Sequence, residues 1–408
     1  MHLSLLSALL LLPAPLAALN VAVVGSGVGG SSAAYFLSQQ HLGDPDLSIT
    51  VFESGDRIGG RAYTETVAGI PVDIGGTAIS TLNSYLVSFV DTFKLQSQSS
   101  KSASAPEVDK LGLYDGSSIF FSSPESTIPL AAKVLFRYGF SPLKAVSTTR
   151  SMAASLSKIY DQQAAGTSYA SPQAMFDALG LTSFTQQRAY DAFEEMGVSA
   201  SFVKEFIDSA SRGNYMQDGE ISAFVDLVSL AGAGLAGSVF SLDGGANQIP
   251  TALLKASGAT VLTSTPVSAV SDSGAVTYTD ASSNTPQTST FDAVIIAAPL
   301  EFADIALSVP APPPTNRPYM RIFVTFFSCD ALSPSYFNLS ETESVPGDIA
   351  TIDGEGLEIV SVGYHGRGDN GKKVYKLFSL AELSDDVLSR ISSNHGDVFR
   401  HEWEGAYT

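Results

Sequence analysis

Residues 19–30 read LNVAVVGSGVGG and join two patterns that follow each other in one kind of fold. Five of the first six residues are apolar and three of these are β-branched, which predicts a buried strand. Glycines interrupt this run, and Ser31–Gln40 then has apolar residues at helical spacing. A second run, Ile49–Glu53, predicts another strand. The order strand, turn, helix, strand is typical of the first half of a doubly wound α/β fold.

The glycines of this turn have the spacing G-x-G-x-x-G at Gly25, Gly27 and Gly30. Gly25 permits the tight turn, Gly27 lets the backbone approach a pyrophosphate, and Gly30 lets the helix pack closely on the strand. The start of the helix adds free N–H groups and the positive end of its dipole. The turn is therefore predicted to bind phosphates.

An acidic residue, Glu53, ends the second strand. A carboxylate at this place accepts hydrogen bonds from both ribose hydroxyls and repels a 2′-phosphate, which disfavours NADP. It follows Gly25 at more than the usual spacing of about 20 residues, and residues 41–46 read as an extended loop that explains the difference. Together the two features predict a dinucleotide site.

The next segment, Arg57–Arg61, reads RIGGR and favours FAD over NAD. Its glycines, Gly60 included, let the backbone come close to a cofactor, and Arg61 brings a cation towards the pyrophosphate. This arrangement resembles the amine-oxidase-like branch of FAD enzymes.

Three later segments extend that resemblance. Asp73–Thr77, with Gly76, resembles the strand and turn that approach the flavin ring in that branch. Leu242–Gly245 and Pro266–Val267 resemble later segments of the branch, in which the valine backbone meets the adenine. The resemblance implies FAD as the cofactor.

Four further segments narrow the resemblance to the prenylcysteine lyase (prenylcysteine oxidase) family: Arg137–Phe140, Arg212–Tyr215, Ile221–Phe224 and Gly244–Asn247. It extends from about Val21 to the end of the chain. It implies an enzyme in which FAD takes a hydride from the allylic carbon bonded to the sulfur of a prenylated cysteine. Water then adds, a prenyl aldehyde and free cysteine are released, and O2 reoxidises the flavin to give H2O2.

The resemblance also implies an apolar channel with a polar end for the amino acid. Arg212, Asn214 and Tyr215 are the candidates for that end, because an arginine fork pairs with a carboxylate and the other two can bind an amine or a water. Arg212 has a second interpretation, as an anchor between two domains. Six aromatic residues either line the channel or form core: Phe136, Tyr138, Phe140, Phe202, Phe206 and Phe224. No general base is identified.

The rest of the chain predicts a nucleotide domain interrupted by a helical insertion, followed by a second, α+β domain. The predicted FAD-binding domain is residues 19–95 and 235–300, and the predicted substrate-binding domain is residues 96–234 and 301–408. Helices are expected within 131–137, 147–163 and 202–211, and a linker at 310–318. Strands are expected at 320–327, 359–364 and 374–380, and a polar loop at 395–403.

The N-terminus and the charge bear on location and partners. Residues 1–18 resemble a cleaved signal peptide, with an uncleaved apolar anchor as the alternative. The sequon at Asn338 predicts glycosylation, and both features favour a vacuole, a lysosome-like compartment or secretion. A net charge of −19 argues against nucleic acid and anionic membranes as partners. No transmembrane segment is predicted.

Two further features limit the chemistry. Cys329 is the only cysteine, so no intramolecular disulfide forms, and a packed thiol is expected. Members of the family are expected to continue beyond Thr408 with a closing glycine-bearing strand and helix. We therefore expect this chain to contain the ADP half of the FAD site, and we expect the flavin end of that site to be incomplete. The alternatives are another FAD oxidase of the amine-oxidase type and an inactive truncated homologue.

Overall fold

The computed structural model describes residues 19–43, 45–98, 111–123, 130–308, 317–352 and 356–407. The predicted signal peptide and most of the predicted linker lie outside these residues. The described chain folds into two compact units. Unit 1 comprises the described residues within 19–60 and 250–308, and unit 2 comprises those within 61–249 and 317–407.

Each unit is built from two separate segments of the chain, but the bounds differ from the expected ones. Residues 61–95 and 235–249, expected in the FAD-binding domain, fold with unit 2. The reason is packing: the apolar side chains of Val67, Val72 and Ile74 are buried against Ile322 and Val324 of that unit.

The strands, in chain order, are β1 (Leu19–Val24), β2 (Leu47–Phe52), β3 (Thr64–Val67), β4 (Ile70–Asp73), β5 (Ile79–Ser80), β6 (Leu111–Tyr114), β7 (Ile119–Ser122), β8 (Val239–Phe240), β9 (Thr260–Leu262), β10 (Val267–Val270), β11 (Ala275–Thr279), β12 (Pro286–Thr290), β13 (Ala293–Ile296), β14 (Ala306–Leu307), β15 (Met320–Cys329), β16 (Ala331–Leu332), β17 (Asp348–Thr351), β18 (Ser361–Arg367), β19 (Lys373–Ser379), β20 (Ser392–Ser393) and β21 (Val398–Tyr407). The three strands predicted beyond residue 318 are confirmed as parts of β15, β18 and β19.

The helices are α1 (Val28–Gln40), α2 (Ser84–Phe93), α3 (Leu130–Tyr138), α4 (Ser141–Ala164), α5 (Pro172–Leu179), α6 (Thr182–Gln186), α7 (Ala189–Glu195), α8 (Ala200–Phe202), α9 (Asp208–Tyr215), α10 (Ala223–Gly232), α11 (Gln248–Ser257), α12 (Leu300–Ala303) and α13 (Asp385–Ile391). A π-helical turn, Val203–Ile207, joins α8 to α9, and Pro334–Phe337 is a 3-10 helix. The three predicted helices are confirmed, the third as the continuous run from α8 to α9.

Unit 1 is built on a parallel sheet of order β13-β1-β2-β9. Because side chains alternate along a strand, Val23 and Val51 pack with Ala34 of α1 on one face. Val24 packs on the other face with residues that include Val276 of a second sheet, whose order is β12-β11-β10-β14. The predicted Rossmann-type α/β fold is confirmed.

Unit 2 contains a seven-stranded mixed sheet of order β21-β15-β19-β18-β17-β6-β7. Strand β15, next to the edge strand β21, buries side chains on both faces. Phe327 and Cys329 belong to one core cluster, and Val324 and Phe326 belong to the other. The helices from α3 to α10 pack around a third core that includes the fully buried Phe193.

The last strand corrects the sequence analysis. The predicted polar loop at 395–403 is wrong, because Val398–Tyr407 is a strand that pairs antiparallel with β15. Phe399 and Trp403 pack against the core on one face, while Glu402 and Glu404 lie near Arg321 on the other. In an edge strand with one covered face, charged residues alternate with apolar ones. The average composition of such a strand is polar, so it resembles a loop in the sequence.

A buried carboxyl lies among the helices of unit 2. Asp226 of α10 is fully buried, and its Oδ1 accepts a hydrogen bond of 2.6 Å from the Ser211 hydroxyl. Its Oδ2 has no hydrogen-bond partner among the described residues. Burial raises the pKa of Asp226 to about 7; Asp208 and Asp218 add to this, and the Ser211 hydrogen bond opposes it.

This carboxyl predicts a stability that depends on pH. The pKa in the folded protein lies above the unfolded value of about 3.9. At a pH between these two pKa values, the folded state binds a proton that the unfolded state does not. Lowering the pH from about 7 to about 4 should therefore raise the Asp226 contribution to the free energy of unfolding, by up to about 4 kcal/mol. Asp226→Asn should be more stable at neutral pH and lose this pH dependence in urea unfolding. The exposed Asp161→Asn is the control, and equal pH profiles for both variants would contradict the prediction.

Candidate active site

The glycine turn between β1 and α1 has little free space. Gly25 has φ +102°, and a Cβ there would lie 3.0 Å from the Ala297 carbonyl oxygen. A Cβ on Gly30 would lie 1.9 Å from the Gly25 carbonyl oxygen, so glycine is required for the helix to approach the strand. Gly27 is the N-cap of α1, in an extended conformation. These positions agree with the turn expected from the G-x-G-x-x-G spacing.

Glu53 directly follows β2 and binds this turn. Its Oε2 accepts hydrogen bonds from the Ser26 N–H at 2.9 Å and from the Ser26 hydroxyl at 2.5 Å. Its Oε1 accepts from the Gly55 N–H at 2.8 Å. The carboxylate thus lies beside the N-terminus of α1, where a ribose hydroxyl and a pyrophosphate can be bound together.

Two other backbone segments of unit 1 lie near this turn and Glu53. The Gly59 N–H donates to the Ser26 carbonyl at 3.2 Å, and a Cβ on Gly60 would lie 3.3 Å from the Gly27 Cα. The Thr265 N–H donates to the Glu53 carbonyl at 2.8 Å, two residues before the buried Val267. Closely packed glycine backbone, the Glu53 carboxylate and the N-terminus of α1 together fit the ADP half of a dinucleotide.

In unit 2, the buried Asp73 organises a second glycine turn. Its Oδ1 accepts hydrogen bonds from the Thr64 hydroxyl at 2.7 Å and the Ala246 N–H at 2.9 Å. A Cβ on Gly75 would lie 1.9 Å from the Arg61 carbonyl oxygen, whereas a Cβ on Gly76 would meet nothing within 4 Å. Gly76 therefore presents bare backbone next to open space.

That space is a cavity of about 490 Å³ within unit 2. Small-molecule sites occupy about 300–1,000 Å³. Its apolar lining comes mainly from α4, α10 and the segment around α2: Leu82, Leu86, Met152, Ala153, Leu156, Val228, Ala231 and Phe378. Its other lining residues include Gly75, Gly76, Thr77, Tyr160, Asn214, Tyr215, Ser229, Lys376 and Tyr407. A largely apolar cavity with a few polar groups suits an amphipathic small molecule.

The structure brings two of the three expected polar-end residues into this cavity. The Asn214 amide Nδ2 donates to the Ser229 hydroxyl at 2.8 Å and to the Ser229 carbonyl at 3.2 Å. The Tyr215 ring packs edge to face on Tyr407, with centroids 5.3 Å apart, and burial raises the pKa of Tyr215. Arg212 does not line this cavity; its Nε donates to the Thr351 hydroxyl at 3.4 Å.

The six aromatic residues considered for the channel do not line this cavity. Tyr138, Phe202 and Phe206 pack on one another as core, with ring centroids 5.3–5.4 Å apart. Phe136 and Phe140 are 95% and 68% exposed. Phe224 lines a different cavity. The interpretation as core is therefore correct for the three packed rings. Aromatic residues at helical spacing are as typical of a packed core as of a channel lining, so the sequence alone did not decide between the two.

Arg61 lies on this second cavity, of about 400 Å³, together with Arg317. The Arg61 Nη1 donates to the Ala406 carbonyl of β21 at 3.0 Å. Tyr215 and Tyr407 line both cavities, so this aromatic pair lies between them.

Lys376 is a charged residue of this cavity that was not predicted from the sequence. It lies in β19, where Tyr375 and Leu377 face one core cluster and Val374 packs on the opposite one. Its Nζ donates to the Asp73 carbonyl at 2.8 Å. The sequence feature that could have identified Lys376 is its position: it is a charged residue inside a predicted buried strand whose neighbouring residues are apolar.

Cys329 is a buried residue of the sheet core, and burial raises the pKa of its thiol to about 12. A thiol with this pKa is not a nucleophile at neutral pH. Among the described residues, no group of three His, Cys, Asp or Glu side chains is arranged to hold a metal ion. None of the described helices is long and apolar enough to cross a membrane.

Two family models match the chain, one over its N-terminal segment and one over most of the remainder. The family model for prenylcysteine lyase matches residues 121–407, and the model for an NAD(P)-binding Rossmann-like domain matches residues 23–93. The farnesylcysteine lyase of Arabidopsis thaliana is 27% identical over an alignment of 401 positions that covers 95% of this chain and 78% of that protein. Prenylcysteine oxidase 1 of Homo sapiens is 26% identical over 94% of this chain and 79% of its own length.

Solved structures show the same fold. A triple mutant of putrescine oxidase superposes with a TM-score of 0.63 at 17% identity, over 95% of this chain and 87% of that one. Cyclohexylamine oxidase from Brevibacterium oxydans superposes with a TM-score of 0.57 at 16% identity, over 94% and 84%.

The Rossmann-type unit, the family match and the oxidases among the similar proteins together give the class of protein: an FAD-dependent oxidoreductase. Within this class, the chain belongs to the prenylcysteine lyase family.

Proposed function

We propose that the protein oxidises the thioether of S-prenyl-L-cysteine and releases a prenyl aldehyde and free cysteine, with O2 as electron acceptor and H2O2 as the second product. The observation that carries this proposal is the cavity of unit 2, which combines an apolar lining with Asn214 and Tyr215 in a chain of this family. A prenyl chain requires apolar walls, and the cysteine moiety requires polar groups.

FAD, when bound, would supply the hydride acceptor for oxidation of the allylic carbon attached to sulfur. The protein's contribution is to bind and orient the thioether and to limit water around the prenyl chain. Asn214 directs its Nδ2 to Ser229, so we assign its Oδ1 as the acceptor for the substrate ammonium. Because its pKa is raised, the Tyr215 hydroxyl stays protonated and can donate to a water molecule or to the substrate.

The cofactor contacts are also part of the proposal. We assign Gly25, Gly27 and Gly30 to the pyrophosphate and Glu53 to the ribose, supported by the close backbone packing and hydrogen bonds of this turn. Gly60 and Val267, and in unit 2 Arg61 and Gly76, are further assigned contacts on the basis of their resemblance to the amine-oxidase-like branch. The assignment to FAD, and not to NADP, agrees with the carboxylate of Glu53.

The test is anaerobic mixing of the purified, FAD-reconstituted protein with S-farnesyl-L-cysteine. We expect the flavin absorbance to bleach, one farnesal and one free thiol to appear per flavin reduced, and H2O2 to form when air is admitted. A yellow protein that is reduced by amines but by no prenyl thioether would show an oxidase of the amine-oxidase type. A protein that takes up no FAD would show an inactive homologue.

The cavity itself is tested by filling it. Ala153 lines the cavity and is 7% exposed, whereas its neighbour Ala154 is exposed on the same helix. Ala153→Leu should raise KM for S-farnesyl-L-cysteine about tenfold, because added methylenes in a packed site cost about 1–3 kcal/mol. Ala154→Leu is the matched control and should match the wild type. An equal KM in the two variants would place the prenyl chain elsewhere.

We further propose that the protein enters the secretory pathway, with residues 1–18 as its signal peptide, and acts in a vacuole, a lysosome-like compartment or outside the cell. Asn338 is exposed at the end of a 3-10 helix, with φ 55°, where a glycan can be attached. Expression in a eukaryotic host should give a chain that begins after residue 18. Its electrophoretic mobility should increase on glycosidase treatment, and Asn338→Gln should abolish that change.

A further inference from the structure

Lys376 is the one formally charged side chain among the described residues that line the 490 Å³ cavity. It is 7% exposed, whereas most lysines are exposed at the surface. Burying an ammonium group is unfavourable unless hydrogen bonds and an opposite charge compensate for the lost water. A carboxylate that enters this cavity, whose other described lining residues are uncharged, would be attracted to the Lys376 ammonium group.

The surroundings hold the ammonium group in place. Its Nζ donates to the Asp73 carbonyl at 2.8 Å, and it lies 4.7 Å from the Phe378 ring centroid and 5.5 Å from that of Phe326. Asp73 is itself fixed, because its carboxylate accepts from Thr64 and from the Ala246 backbone. A cation fixed by a rigid strand and turn binds a ligand charge at low entropic cost.

We propose that Lys376 binds the α-carboxylate of the substrate's cysteine moiety. This inference rests on the proposed function and replaces the expected role of Arg212, which does not line the cavity. The cavity then offers separate groups for each polar part of the substrate: an ammonium for the carboxylate, and Asn214 and Tyr215 for the amine or water. Lys376 thereby selects free prenylcysteine over its carboxyl esters and over prenyl thioethers that lack a carboxylate.

The test is equilibrium binding of a saturated analogue that cannot be oxidised, because it has no allylic hydrogen. Isothermal calorimetry compares S-decyl-L-cysteine with its methyl ester, at mildly acidic pH so that both amines are protonated. The wild type should bind the acid about 10- to 100-fold more tightly than the ester, as expected for a charge-assisted hydrogen bond. Lys376→Gln and Lys376→Met should bind both ligands with the affinity that the wild type has for the ester.

Two further measurements make the result specific. Lys376→Gln keeps an N–H donor for the Asp73 carbonyl, so it separates loss of charge from loss of folding, and its thermal midpoint is measured alongside. Lys373→Met, on the same strand but outside this cavity, is the control and should keep the wild-type preference. The same preference should appear in KM for S-farnesyl-L-cysteine and its methyl ester.

Equal affinity of the wild type for acid and ester, or an equal loss of both in Lys376→Gln, would overturn the role of Lys376 and leave the substrate class standing. A wild-type protein that binds neither analogue and is not reduced by S-farnesyl-L-cysteine would overturn the proposed function, and this inference with it.

Discussion

Replacing Gly30 with alanine should give a protein that is isolated without FAD and that unfolds more easily than the wild type. The added Cβ would lie 1.9 Å from the Gly25 carbonyl oxygen and 3.2 Å from the Val23 Cγ1 atom. The first of these atoms belongs to the backbone, so no side-chain rotation relieves the clash. Helix α1 must move away from β1, and the N–H groups at its start then leave the pyrophosphate position.

A Cβ added at Gly25 would in turn lie 3.0 Å from the Ala297 carbonyl oxygen, so the backbone is closely packed on that side of the turn as well. We therefore expect the free energy of unfolding to fall by about 3 kcal/mol, near the upper end for overpacking in a core. The measurements are flavin absorbance per polypeptide after titration with FAD, and urea unfolding of the apoprotein.

Gly29→Ala is the matched control for this prediction. It is the neighbouring helical glycine, and a Cβ there meets nothing within 4 Å. Alanine in a helix is favoured over glycine by about 1 kcal/mol, so this variant should be as stable as the wild type or more so, and should retain FAD. If Gly30→Ala also retains FAD at wild-type affinity, the turn does not bind the pyrophosphate.

The second large effect is expected at Glu53. Glu53→Ala removes the acceptor for the N–H and hydroxyl of Ser26, which is fully buried, and the acceptor for the Gly55 N–H. A buried donor without an acceptor destabilises the folded turn by about 1–3 kcal/mol, and each lost hydrogen bond from the ribose to the carboxylate weakens FAD binding by about 1.5–3 kcal/mol. We expect the Kd for FAD to rise about 100-fold or more.

Graded variants separate the two contributions. Ser26→Ala removes one donor to Glu53 but leaves the carboxylate for the ribose, so it should weaken FAD binding much less. Asp56→Ala removes an exposed carboxylate three residues away and is the control for net charge. FAD binding is followed by the quenching of flavin fluorescence. A Glu53→Ala protein with wild-type Kd would show that the carboxylate only shapes the turn.

Much of the fold was predictable because its signals are local. The strand, the glycine turn, the helix and Glu53 lie within a single short segment, and the period of side-chain burial differs between strands and helices. The strands in β15, β18 and β19 were recognised in the same way. The strand Val398–Tyr407 was missed, because alternating charges on its outer face have the composition of a loop.

The cavity was not predictable in the same way. Arg212 and Asn214 are two residues apart in one helix, yet the structure places Asn214 on the cavity and Arg212 against Thr351. Which helix face meets the cavity depends on how α9 packs against α10 and the sheet. A motif of adjacent residues carries no information about that packing.

The local patterns of this chain were therefore sufficient for the fold class and for the turn assigned to the ADP half of FAD, since each of these depends on residues close in sequence. Packing between distant segments assembled the cavity. Lys376 and Asp73 are 303 residues apart, and their hydrogen bond exists because β19 lies beside the turn that follows β4. Strand order and the closing of long loops bring such pairs together, and no short stretch of sequence records either.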